Sequence, residues 1–177
     1  MIDAQTMLGS FLQSFAGFED LLNALVAFLG LCLTIHGLFK FVQYSRLGGR
    51  EAGLTLLAPV MYLACGAALW NFAAGINSLL ETFFGPSASV QSILSYNTPV
   101  KAKENTRLLL ASLIACVRLY GYWSYASGWL TLRRLGENKH GDTFKKGMVK
   151  LVAGVFLINI VETVNVVAAT FGFGKVL

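Results

Sequence analysis

Charged residues are scarce in this chain of 177 residues, since Asp, Glu, Lys and Arg make up 13% of it. Soluble domains carry about 25%. Disorder is excluded, because it requires high charge and few apolar residues, whereas here 55% are hydrophobic and mean hydropathy is +0.62. Three cysteines are too few for a disulfide scaffold, and two separated histidines form no metal-binding pattern. So much apolar surface could not be hidden from water in a soluble enzyme, which indicates an integral membrane protein.

Four stretches are long and apolar enough to cross a bilayer, which takes about 20 residues. They are Leu21–Phe41, Leu54–Leu80, Leu108–Leu130 and Met148–Phe171. Each exceeds an ordinary strand and lacks alternation of polar and apolar residues, which predicts helices. Pro59 falls in the first turns of the second stretch, where proline costs least. The predicted fold is all-α, with four transmembrane-type helices arranged as two tandem helical hairpins.

A short amphipathic helix is expected before each hairpin. In the N-terminal segment, large apolar side chains recur at helical spacing: Leu8, Phe11, Phe15, Phe18 and Leu22. This pattern predicts a helix that lies on the outer surface of the membrane. A core helix packed on the spans fits the pattern equally well. Val90, Ile93 and Leu94 predict a similar helix in the central linker. A cleavable signal peptide is not expected, because Glu19 and Asp20 interrupt the apolar region that one requires.

Lysine and arginine predict the orientation of the spans. Nine of them lie in the segments 40–53 and 133–150, and only four lie on the opposite side. Under the positive-inside rule both segments are cytoplasmic loops. Both termini and the segment 81–107 then lie on the outer side of the membrane.

The second and fourth stretches align with an offset of 88 residues and share seven identities between Leu63 and Gly85. The matched pairs include Asn71 with Asn159, Asn77 with Asn165, and Gly66 with Gly154. The first and third stretches align with an offset of 84, which matches Cys32 with Cys116 and Gly37 with Gly121. This predicts an internal duplication, with one repeat in residues 1–85 and the other in residues 86–177.

Two charged residues lie deep inside predicted spans. Arg118 and Glu162 are each roughly 18 Å from the cytoplasmic edge, at 1.5 Å per residue. An ion pair between them is predicted, and in a proton-coupled transporter the same pair would act as a relay. The four matched asparagines predict hydrogen bonds between helices, with a ligand site as the alternative, and Gly66 and Gly154 predict close helix approaches.

A helical hairpin with external termini and a basic cytoplasmic turn resembles the pilins of type IV secretion and conjugation systems. From Leu21 to Gly174 the chain is similar to the TraQ proteins of type IVB conjugative plasmids and their IcmC/DotE relatives, on its hydropathy, loop charge and Gly and Asn positions. It departs from the usual conjugative pilin in being doubled and in lacking a cleavable leader. The resemblance implies a structural subunit of the bacterial inner membrane, with both termini in the periplasm and no enzymatic activity.

In such pilins the hairpin leaves the membrane and assembles with phospholipid into a tube. The lipid head group lies near the basic turn that lines the lumen. Carried over to this chain, the head-group and lumen positions are Arg46, Arg50, Arg133, Arg134, Lys139, Lys145 and Lys146. The implied partners are further copies of the chain, other secretion components, transferred DNA without sequence-specific contacts, and a phospholipid, anionic such as phosphatidylglycerol. After assembly the subunit would lie in an extracellular pilus. The alternative role for these basic loops is only to orient the protein in the membrane.

Two other functions stay open. One is an inner-membrane component of the type IVB complex that never polymerises. The other is a small transporter or channel built from repeats. The sequence disfavours the transporter, because no span is expected to break in both halves around a shared polar site. An enzyme is also disfavoured, since no nucleophile, base and stabilising group converge on one face.

Overall fold

The computed structural model describes residues 4–47, 55–85, 104–137 and 142–173. Within these ranges the chain folds into α-helices, one short 3-10 helix and no strand, so the predicted all-α class is confirmed there. The α-helices are α1 (Ala4–Leu47), α2 (Leu57–Trp70), α3 (Phe72–Phe84), α4 (Glu104–Leu132), α5 (Asp142–Ile158) and α6 (Ile160–Thr170). The 3-10 helix, Arg133–Glu137, follows α4 directly.

Helix α1 is continuous over 44 residues, so the N-terminal segment is not a separate amphipathic helix. No proline interrupts it, and the helical spacing of its apolar residues carries on into the first predicted span. Phe15 is buried and Phe18 is about half exposed. The linker helix expected around Val90–Leu94 lies outside the described residues.

One helix within the described ranges can cross a membrane unaided: Gly17–Arg46, with a hydropathy of 2.0 in its most apolar window. Two other candidates are bent pairs, α2 with α3 at 85° and Thr143–Ile158 with α6 at 92°. If each bent pair is counted as one span, the described residues contain up to three candidate spans. Helix α4 covers the third predicted span, but its described residues do not form a further candidate span. Four straight spans are therefore not confirmed.

Local sequence explains where the helices begin and end. Pro59 lies in the first turn of α2, as predicted, where its missing N–H costs no helical hydrogen bond. Gly85 follows α3 with φ of +96°, a conformation that suits glycine. At the end of α6, Phe173 N donates to Ala168 O at 2.9 Å and Gly172 N to Ala169 O at 3.0 Å. This pair of bonds is a Schellman motif, with Gly172 at φ +78°.

The chain divides into two compact units that do not follow the predicted boundary between repeats. The first unit comprises Met1–Leu21, Ile76–Tyr122 and Gly154–Leu177, and the second comprises Leu22–Gly75 and Trp123–Ala153. Each unit draws segments from both predicted halves. The core of the first unit includes Ile76, Leu80, Val155 and Ile158, and that of the second includes Ala58, Cys65, Leu69 and Tyr125.

Candidate functional site

A single carboxylate oxygen in the second unit joins three elements. The Oε1 atom of Glu137, at the end of the 3-10 helix, accepts a hydrogen bond from Nζ of Lys40 in α1 at 2.9 Å. The same oxygen accepts a second hydrogen bond from the Tyr62 hydroxyl in α2. The Tyr62 side chain is buried, and the two charged side chains keep 16% and 30% of their surface exposed. This arrangement ties both helices of the first hairpin, near the segment that connects them, to the 3-10 helix that follows α4.

Cationic and aromatic groups surround the Tyr62 ring. Nζ of Lys40 lies 4.2 Å from the ring centroid, and Cζ of Arg133 lies 5.5 Å from it. Both distances suit a cation–π interaction. The His36 ring packs against the same ring with centroids 5.3 Å apart. We call these five residues the Glu137 cluster: His36, Lys40, Tyr62, Arg133 and Glu137.

The position of Glu137 follows from tight packing of the 3-10 helix on the start of α2. Gly136 is buried, and a Cβ there would overlap the Cα of Ala58. The Thr55 hydroxyl donates a hydrogen bond to the carbonyl of Gly136 at 2.9 Å. Ala58 lies one helical turn before Tyr62, so this contact brings the next residue, Glu137, to the Tyr62 hydroxyl.

Both hydrogen bonds favour the ionised form of Glu137. The Tyr62 hydroxyl has the largest effect and the Lys40 ammonium the next, and together they lower the pKa of this carboxyl despite its partial burial. Lys40, Arg133 and Glu137 bring two cations and one anion to the ring, so the charge there is net positive. The Nε atom of Arg133 is buried and has no hydrogen-bond partner.

The predicted head-group residues take different positions. Arg46, Arg134, Lys145 and Lys146 are exposed, and the last two line a shallow cavity of about 310 Å³ with Val149 and Lys150. Arg133 is instead turned onto the Tyr62 ring, because the 3-10 helix directs it back to α2. Arg50 and Lys139 lie outside the described residues.

Arg118, in the first unit, meets a different carboxylate from the one predicted. Its Nη2 atom lies 4.0 Å from Oε1 of Glu19, and both residues are buried. Arg118 Nε, Arg118 Nη2 and Glu19 Oε1 lack hydrogen-bond partners. The prediction had named Glu162, from its depth on a straight helix. Glu162 instead lies in the first turn of α6, just beyond the 92° bend.

The ion pairs Glu19–Arg118 and Lys40–Glu137 were not predicted from the sequence. Glu19 and Lys40 nevertheless lie on the same face of α1. One narrow stripe of α1 is buried, at a spacing of three, four or seven residues: Phe15, Glu19, Val26, Gly30, Leu33 and Gly37. Lys40 continues this stripe three residues later and is half-buried. A charged residue on the stripe that faces other helices requires an internal partner. The identity of that partner, 97 residues away for Lys40, follows only from the fold.

The matched residues Asn71 and Asn159 both break a helix. Their backbone angles are similar, φ −94° and ψ 40° at Asn71 and φ −106° and ψ 52° at Asn159. The expectation that no span breaks in both halves was therefore wrong. It arose because the apolar sequence around each Asn is typical of a continuous helix. Asn159 and Asn165 are buried, Asn77 is half-buried and Asn71 is exposed. Hydrogen bonding between helices by these side chains stays a prediction.

Glycines permit close helix contacts in each hairpin. A Cβ on Gly66 would lie 2.8 Å from the backbone N of Thr34, and one on Gly30 would lie 2.8 Å from the Gly66 carbonyl oxygen. In the second hairpin, a Cβ on Gly121 would lie 3.0 Å from the Gly154 carbonyl oxygen. The close approaches predicted at Gly66 and Gly154 are thus present.

These contacts revise the offset between the first and third predicted spans. Gly121 meets Gly154 and Ile158, which correspond to the partners Gly66 and Trp70 of Gly30. Gly128 meets Leu151, as Gly37 meets Leu63. Helices α1 and α4 therefore correspond with an offset of 91 residues instead of 84. Seven residues make about two helical turns, so both offsets place apolar residues on the same face.

Comparison with protein-family models, curated proteins and solved structures gives no match.

Proposed function

We propose that this chain is a structural, self-associating membrane subunit of a type IVB conjugation or secretion apparatus, and that it catalyses no reaction. The observation that carries the proposal is the apolar surface of α1. Between Gly17 and Arg46 only 22% of the most apolar window is buried. Large apolar side chains cover the rest of this surface: Leu25, Phe28, Leu29, Leu31, Ile35, Leu38, Phe39, Phe41 and Val42.

A surface helix of a soluble protein has its apolar residues on the buried side. In α1 the buried stripe includes two glycines, and the bulky apolar residues point outward instead. Exposing an apolar patch of this extent to water is unfavourable, whereas contact with lipid acyl chains is not. In the membrane these side chains contact lipid, and on assembly they contact other copies of the chain.

The finer parts of the proposal concern topology and assembly. If each bent pair crosses as one span and α4 crosses as well, the chain forms two tandem hairpins with both termini in the periplasm. The exposed basic residues Arg46, Arg134, Lys145 and Lys146 would then contact phospholipid head groups, each contributing about 1 kcal/mol with an anionic lipid. Assembled copies would form the phospholipid-containing tube of a conjugative pilus, through which DNA or protein passes.

Cysteine cross-linking tests self-association. Leu25 is 55% exposed on α1 and Leu33 is 7% exposed, so they make a matched pair of sites. In a background without native cysteines, Leu25→Cys should form disulfide-linked dimers when membranes are oxidised, and Leu33→Cys should not. Monomers from both variants would contradict self-association.

A shear assay separates the two structural alternatives. A polymerising pilin appears in the extracellular filament fraction after cells are sheared, together with phospholipid detected by mass analysis. A subunit that stays in the inner-membrane complex remains in the membrane fraction, although it still cross-links through Leu25→Cys.

A small transporter or channel is the second candidate, and one observation favours it. The helices broken at Asn71 and Asn159 occupy corresponding positions in the two predicted repeats. Interrupted helices in both repeats are typical of transporters, where they surround the substrate site. Substrate-dependent flux into liposomes containing the purified chain would support this function, and its absence for ions and small metabolites would count against it.

A further inference from the structure

The breaks at Asn71 and Asn159 share one hydrogen-bond pattern. Asn71 N donates to Ala67 O at 3.1 Å, and Gly75 N donates to Asn71 O at 2.8 Å. At the second break, Asn159 N donates to Val155 O at 3.2 Å, and Thr163 N donates to Asn159 O at 3.0 Å. Every one of these positions corresponds at the offset of 88 residues, so the two breaks have the same backbone design.

The two breaks differ in the residue four positions after the Asn, which is Gly75 at the first break and Thr163 at the second. The Thr163 hydroxyl lies 3.0 Å from Phe156 O, before the break, and 2.8 Å from Asn159 O within it. Its proton is thus shared between two carbonyls, one of which the bend deprives of a helical partner. The corresponding residue at the first break is Gly75, which has no side chain to do this. Near Gly75 the Tyr125 hydroxyl lies 3.0 Å from where a Cβ would be.

We propose that the break at Asn71 is a hinge on which α3 straightens onto α2, whereas Thr163 holds the break at Asn159 bent. Straightening gives the carbonyls of Ala68, Leu69 and Trp70 helical partners. It disrupts the packing of the Phe72 and Tyr125 rings, whose centroids are 5.4 Å apart. At the second break the same movement also removes the hydrogen bond from Thr163 to Phe156, and this bond makes straightening less favourable there.

Straightening changes whether the segment can cross a bilayer. Helix α2 alone is about 21 Å long, shorter than the roughly 30 Å of hydrocarbon. A straight helix from Leu57 to Phe84 is about 42 Å long, which exceeds the thickness of the hydrocarbon layer. The hinge therefore converts a half-span into a full span, in one repeat only. This holds for any of the functions proposed above.

Spin labels can compare the two breaks directly. Val60 and Thr82 flank the first break, and Met148 and Thr170 are their counterparts at the second; all four are exposed. A straight helix separates each pair by about 33 Å, and a right-angle bend reduces this to about 23 Å. The measurement is double electron–electron resonance on the full chain in lipid nanodiscs, with Cys32→Ser, Cys65→Ala and Cys116→Ser removing the native thiols.

We expect two distances for the first pair, near 23 and 33 Å, and only the shorter for the second. Thr163→Gly should give the second pair the longer distance as well. Gly75→Thr with Tyr125→Phe, which makes room for the added methyl, should abolish the longer distance at the first pair, with Tyr125→Phe alone as the control. A single short distance at the first pair, or no effect of Thr163→Gly, would overturn the proposal.

Amide hydrogen exchange on the unmodified chain gives an independent answer if the cysteine-free variant does not fold. Protection factors, which correct for intrinsic exchange rates, should be about twofold or more higher for the amides of Phe72, Ala73 and Ala74 than for those of Ile160, Val161 and Glu162, because straightening pairs only the first set with helical carbonyls. Equal protection of the two sets would contradict the asymmetry.

Discussion

Lys40 and Glu137 are 97 residues apart in sequence, and their side chains form an ion pair at 2.9 Å. The Tyr62 hydroxyl binds the same carboxylate oxygen, and the Tyr62 ring lies beneath the Lys40 ammonium group. Three elements thus depend on one atom of Glu137. Removing the Glu137 carboxylate takes the acceptor from both the Lys40 ammonium group and the Tyr62 hydroxyl, whereas removing either donor leaves the carboxylate with one hydrogen bond.

Tyr62→Phe should lower the free energy of unfolding by about 1–2 kcal/mol, because it removes a hydrogen bond to a charged group. In a Glu137→Gln background the same change should cost less, since that carboxylate is already gone. Reversible unfolding of all four proteins in mixed micelles measures the coupling. If the two changes are additive, the hydrogen bond contributes nothing.

Acid should weaken the Glu137 cluster. Because the folded state lowers the pKa of Glu137, its contribution to stability is fully present above the pKa of about 4.3 expected in the unfolded chain. The contribution is lost as pH falls through the lower, folded-state pKa. The stability difference between wild type and Glu137→Gln should therefore be constant near neutral pH and shrink below about pH 4. A difference that grows on acidification would mean that the shift has the opposite sign.

Glu19 and Arg118 should be coupled in stability, and Glu162 and Arg118 should not. Glu19→Leu and Arg118→Leu should each cost roughly 3–5 kcal/mol, because each leaves a buried charge without its partner, and the double variant should cost less than either. Glu162→Leu is the control and should cost roughly 0.5 kcal/mol or less, since Glu162 is only half-buried. Unfolding of these four variants and of the Arg118→Leu/Glu162→Leu double variant in mixed micelles gives both coupling energies. A larger coupling for Glu162 with Arg118 would restore the pairing expected from depth.

Gly66→Ala should destabilise the first hairpin. The new methyl group would meet Thr34, with its backbone N at 2.8 Å, so α1 and α2 would have to separate. Overpacking of this kind costs about 1–3 kcal/mol. Gly17→Ala is the matched control, because nothing lies within 4 Å of its Cβ position and alanine favours a helix. Thermal unfolding should show a lower midpoint for Gly66→Ala and an equal or higher one for Gly17→Ala.

Local features of the fold could be predicted where a residue acts through its own backbone or its own helix. Pro59 at the start of α2 is one example, and the close approaches at Gly66 and Gly154 are another. The alignment of the two repeats also identified Asn71 and Asn159 as corresponding polar residues within apolar segments. Their actual effect, a bend of 85° and 92°, was not predicted, because asparagine can either continue a helix or end one. Which of these it does depends on how the following segment packs.

A helical and apolar chain follows from the amino-acid sequence alone, since the spacing of its hydrophobic residues and its low charge permit little else. The stripe of α1 that faces other helices, from Phe15 to Gly37, follows from burial in the folded chain. The fold also sets the partners of that helix face, which are Arg118 for Glu19 and Glu137 for Lys40, and the offset of 91 residues between α1 and α4. A helical repeat looks the same after a slip of two turns, so contacts across helices, and not periodicity, select the register and bring distant charges together.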